Sequence, residues 1–177
     1  MTPFFALCIQ STFSLVAFAL IARWHVSPWL ATRSREDALV PLLWTQVFRY
    51  APLALYATGQ VDSRIPPDVA AAVAFGDLIS AVLALVALVA VKRRAQGAIA
   101  LVWLMSIVGI ADLVFATYKA VGARMYEFSM GGNWYILNFY VPILVVSHVM
   151  VLHRLIQGKG SRQEESHGEP VRSRRAS

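Results

Sequence analysis

Cysteine is nearly absent: Cys8 stands alone among 177 residues, which leaves no intrachain disulfide and no cysteine-built metal site. Charge is scarce too. Asp, Glu, Lys and Arg make up 15% of the chain, against roughly 25% in soluble domains, while hydrophobic residues reach 58%. No phosphate-binding P-loop, dinucleotide fingerprint or Gly-x-Ser-x-Gly elbow occurs, so the chemistry those motifs support has nothing to rest on. The four histidines, His25, His148, His153 and His167, give no two-ligand spacing inside an apolar run. A metal site needs three or four ligands and a bis-histidine haem needs a facing pair, so neither a metal nor a cofactor is expected.

What the chain has in abundance is long apolar runs. They fall at about 4–22, 38–58, 68–91, 98–118 and 134–155, each long enough to cross a ~30 Å hydrocarbon core at ~1.5 Å per residue. The expected fold is an all-α integral membrane bundle of five transmembrane helices over 1–156, followed by a disordered, basic cytoplasmic tail over 157–177. Local signals punctuate the runs. Ser34-Arg35-Glu36-Asp37 has capping-box spacing, Pro66-Pro67-Asp68 starts a helix, and Lys92-Arg93-Arg94 makes a basic turn. Pro52 predicts a kink in the second run. The mixed stretch 121–133 is expected to lie on the membrane surface.

Net charge is +6, but the basic residues sit between apolar runs rather than on one face, so they read as topology signals and not as a nucleic-acid surface. The first run lacks a basic segment before it, and Arg23, Arg33 and Arg35 follow it, which favours a retained helix with its N-terminus outside. Five spans then place Arg23, Arg33, Arg35, Lys92, Arg93 and Arg94 inside, against Arg64, Lys119 and Arg124 outside, even with the tail discounted.

Polar residues inside apolar runs carry the functional signal. A charge at the centre of a membrane helix costs ~2.5–3.5 kcal/mol on insertion scales, so it turns inward and finds a partner. Arg49 and Asp77 fall at the midplane by depth and are the natural pair. Gln46 and His148 fall in the inner third, and Gln10, Asp112 and Asn138 in the outer third, where Lys119 is the partner expected for Asp112. Together they predict an intramembrane polar core, either a site for an ion, proton or small molecule or a set of neutralised structural contacts. Ala72, Gly76, Ser80 and Ala84 recur every fourth residue, a small-residue stripe that admits a close helix neighbour within the bundle or in a homo-oligomer.

Phe48-Arg49-Tyr50-Ala51-Pro52-Leu53, then Gly59-Gln60-Val61-Asp62, Ile65-Pro66 and Gly76-Asp77-Leu78, resemble a group of small, uncharacterised bacterial inner-membrane proteins. The resemblance covers about a third of the chain and implies a bacterial inner (plasma) membrane location, with no activity attached. The leading expectation is a non-enzymatic multi-pass protein embedded in the lipid bilayer, which binds or passes a small molecule or ion or serves as a subunit of a membrane complex. Its rivals are an intramembrane enzyme acting on a lipid or isoprenoid and a purely structural bundle. A hydrophobic pocket opening sideways to lipid would favour the enzyme, a polar column reaching one face the binder or conduit, and a dry, tightly packed core the structural bundle.

Overall fold

The computed structural model describes residues 1–167, with side chains through Gln157. Among the described residues the regular secondary structure is all helix, joined by short turns and loops, with no strand. Helix α1 runs Pro3–Ala31, α3 Pro67–Lys92 and α4 Ala98–Gly122, and α5 begins at Asn133; with the α5 stretch Asn133–Gln157, these make four helices long and apolar enough to cross a membrane. α2, Arg35–Val47, is shorter and passes directly into a 3₁₀ segment, Phe48–Tyr56. The number of long apolar helices is therefore four, not the five expected. The second run fails for two reasons. Its helix starts three residues earlier than expected, on Arg35, Glu36 and Asp37, and the far half of the run contains Pro52, which lacks the N–H an α-helix would use, so the chain tightens into i to i+3 bonding where a simple kink was expected.

α1 does not stop at residue 22 as expected. It continues through a π-helical turn, Ala22–Val26, into Ser27–Ala31. α5 has the same device, a π turn at Ile136–Tyr140. Each turn ends two residues before a proline, Pro28 or Pro142, whose ring crowds the carbonyl four residues back and leaves it without its α-helical donor, so the widened turn relieves both. The backbone of α5 carries on to His167, across the start of the tail expected from 157; residues 168–177 lie outside the described residues.

α2, α3, α4 and α5 pack in a ring, with α3 against both α2 and α4 and α5 against α2 and α4. α1 leans on α5 from outside, and none of its Pro3–Ile21 side chains is buried. It is held there by Trp134 Nε1 and Asn138 Nδ2, each donating to Gln10 Oε1 at 2.8 Å, and by Phe18 against the edge of Phe139. Apolar packing is split into two clusters. One, at the end bearing the turns 32–34 and 93–97, gathers Leu39, Leu43, Leu88, Val102, Met105 and Leu155. The other, under the loops 57–66 and 123–132, gathers Leu55, Ile65, Val69, Met125 and Met130. The stretch 121–133 is anchored by Met125 and Met130, which are buried, while most of its other residues are exposed. The two loops are stitched together: the Asp62 amide donates to Ser129 O at 2.9 Å, and Arg64 lies over the Phe128 ring. In the same loop the guanidinium of Arg64 holds the Asp62 carboxyl down at about 2.

Candidate functional site

Between the two apolar clusters lies a polar layer centred on Arg49, which is 1% exposed. The 3₁₀ segment begins one residue before Arg49 and brings its side chain into the ring of helices. Its guanidinium meets α3, α4 and α5 at once. Nε donates to Asp77 Oδ1 at 2.8 Å, and Nη2 lies 2.8 Å from the same oxygen and 2.7 Å from Asp112 Oδ2. Nη1 donates to the Gly109 carbonyl at 2.9 Å and faces His148 Nε2 at 3.3 Å. A guanidinium has donors and no acceptor, so His148 Nε2 is the acceptor in that contact and its ring is neutral, with the proton on Nδ1. Ser80 Oγ adds a longer donation to Asp112 Oδ2 at 3.4 Å.

Glycine makes this convergence possible. A Cβ at Gly109 would sit 2.8 Å from Arg49 Nη1 and 2.9 Å from His148 Cε1, and one at Gly76 would overlap the Asp112 carboxylate. The small-residue stripe on α3 is used within the chain: Ser80 and Ala84 are fully buried and Gly76 receives Asp112 of α4.

The structure brings Arg49, Asp77, Asp112 and His148 into one cluster. Gln46 lies a turn away along α2 and donates to Ser147 Oγ and to Leu144 O of α5. Gln10 and Asn138 are separate, since they form the α1–α5 seam with Trp134, and Gln10 is exposed. One expected partnership changes. Asp112 belongs to Arg49 instead of Lys119, and Lys119 reaches Asp68 at 3.6 Å. The cause is length: α4 ends at Gly122 rather than 118, so Asp112 lies ten residues, ~15 Å, from that end and level with Arg49. Among residues not singled out beforehand, Ser147 could have been found from its place beside His148 on the buried face of α5. Asn133 carried no signal beyond that of a helix start.

Beside this cluster is a cleft of about 350 Å³. Its deep wall includes Pro52, Leu55, Asp77, Met125, Met130 and Asn133, all buried, and its rim includes Thr12 and Leu15 of α1 and Thr117 and Val121 of α4, all exposed. The rim lies on helix flanks, so the cleft opens sideways between α1 and α4. Asp77 is the one member of the Arg49 cluster on its wall. Asn133, 3% exposed, has neither side-chain polar atom paired. Among the described residues no group of three His, Cys, Asp or Glu side chains converges as a metal site.

An all-helical chain with four helices able to cross a membrane, closed around a buried Arg–Asp–Asp–His cluster, is compatible with a membrane protein. The chain belongs to the family described as Domain of unknown function (DUF8737), whose model matches residues 6–156. No curated protein and no solved structure matches it.

Proposed function

We propose that this is a non-enzymatic multi-pass membrane protein that binds a small, largely apolar molecule in the cleft between α1, α4 and α5. The observation that carries this reading is the cleft itself: about 350 Å³, walled mainly by apolar side chains and open sideways. That volume lies within the roughly 300–1,000 Å³ usual for small-molecule sites. A conduit fits less well, because apolar clusters flank the Arg49 layer at both ends of the bundle. The sideways opening is the feature expected of an enzyme acting on a lipid or isoprenoid, which is the second reading. Against it, Asp77, Asp112 and His148 Nε2 all face Arg49, which engages the groups that would serve as acid or base.

Ala116 lines the cleft and is 9% exposed, so Ala116→Phe fills the space from a buried position. Native mass spectrometry of the protein extracted in mild detergent is expected to show a retained small molecule in the wild type and none in Ala116→Phe. A wild-type spectrum without an adduct, or an adduct that survives in the variant, sinks this reading.

In the same proposal the chain crosses a bacterial inner membrane five times with its N-terminus outside. The fifth crossing is the composite of α2 and the 3₁₀ segment. Thirteen α-helical residues rise ~20 Å and nine 3₁₀ residues ~18 Å, which together exceed a ~30 Å core. In a Cys8→Ala background, an impermeant thiol reagent applied to intact cells should label cysteines placed at Ser63 and Ser129 but not at Thr32 or Ala95. Labelling at Thr32 would exclude the five-crossing topology.

A further inference from the structure

We infer that the occupant of the cleft is an amphiphile carrying one positive charge, an aliphatic amine seated against Asp77. The inference rests on the cleft reading above and specifies its ligand class. It starts from a count of charge. Arg49 faces two carboxylates, Asp77 and Asp112, and the acceptor role of His148 Nε2 keeps that ring neutral, so the cluster with both carboxylates ionised is one positive charge short. Lys119, the nearest lysine along α4, is committed to Asp68 at 3.6 Å. The shortfall is presented where a ligand can reach it, because Asp77 lies on the cleft wall. The opposite sign is disfavoured by the same count, since an anionic head group would face an excess of negative charge in a desolvated place.

Asn133 also lines the cleft, but its amide nitrogen and oxygen are closed off from open space and unpaired, so of these two polar side chains it is Asp77 that an occupant would meet. The remaining wall is mostly apolar, with side chains such as Leu7, Leu113, Ala120 and Leu137, which suits an aliphatic body.

The test uses the whole chain in dodecyl maltoside, with three probes of one chain length: dodecylamine, 1-dodecanol and dodecanoate. Each is titrated at equal mole fraction in the micelle, and the rise in thermal midpoint is converted to apparent affinity. The amine should bind about tenfold tighter than the alcohol, the order expected for a charge-assisted hydrogen bond, and dodecanoate weakest. In Asp77→Asn the advantage of the amine over the alcohol should disappear while the alcohol still binds. Equal affinity of amine and alcohol in the wild type overturns the charge assignment and leaves the cleft reading standing. Failure of every probe to bind overturns the cleft reading itself. If Asp77→Asn does not extract as a folded protein, Ala116→Phe decides, because it keeps all the charged groups. An amine advantage that persists with the cleft filled is a micelle effect and overturns the inference.

Discussion

Replacing both Asp77 and Asp112 with Asn is expected to destabilise the protein by about 3–5 kcal/mol, the usual cost of leaving one buried charge without its partner. Each single replacement should cost far less, on the order of 1 kcal/mol, because Arg49 keeps one carboxylate and Asn keeps an acceptor oxygen. The asymmetry follows from geometry: Nη2 lies 2.8 Å from Asp77 Oδ1 and 2.7 Å from Asp112 Oδ2, so either carboxylate can neutralise the guanidinium. Non-additivity of that size between residues sharing one partner is what a double-mutant cycle detects. Thermal stability in detergent across wild type, the two singles and the double gives the cycle. Arg49→Met should fall as far as the double, since it leaves two carboxylates facing one another, and adding Asp77→Leu and Asp112→Leu to it should restore much of the loss. Additive singles would mean that the two carboxylates do not share Arg49.

Gly109→Ala is the smallest substitution expected to have a large effect. A methyl group there sits 2.8 Å from Arg49 Nη1 and 2.9 Å from His148 Cε1, and neither neighbour is free to yield: the first is fixed by three further contacts and the second is 3% exposed. A loss of about 1–3 kcal/mol is expected, the range for forcing extra volume into a filled interior. Gly122→Ala at the end of the same helix is the control, because its Cβ would meet nothing within 4 Å. It should be neutral or gain up to about 1 kcal/mol from reduced freedom of the unfolded chain. Similar thermal midpoints for the two variants would show that the α3–α4–α5 junction is looser than these distances require.

Arg49 and Asp77 were legible because a charge inside an apolar run announces itself, and their pairing follows from depth alone. Asp112 was equally visible as a charge but was misplaced. Its depth was reckoned from a helix end four residues short, and helix ends are the least certain part of any reading from sequence. The matching strings Phe75-Gly76-Asp77-Leu78-Ile79 and Ile110-Ala111-Asp112-Leu113-Val114 held a better clue, since both aspartates end on one guanidinium. The 3₁₀ segment was half legible. Pro52 announced a break, but nothing in composition distinguishes one kink from nine residues of tighter winding. The cleft was not legible at all. It exists because α1 leans on α5 through Gln10 and Phe18; Gln10 was visible as a polar residue in an apolar run, at the depth of Asn138, but nothing in the pattern marked the two as partners or singled out Phe18.

The π turn in α5 has a consequence for phase. Widening one turn by a residue rotates everything beyond it by about 100° relative to an uninterrupted α-helix. Before the turn ends, Trp134 and Asn138 point at α1; after it, Leu144, Ser147 and His148 point at α2 and Arg49. One helix thereby serves two seams, and its part beyond the turn, Val141–His167, packs on α1 as well as on α2. The single extra residue acts as the gear that sets the outer helix and the buried charge cluster in register with each other.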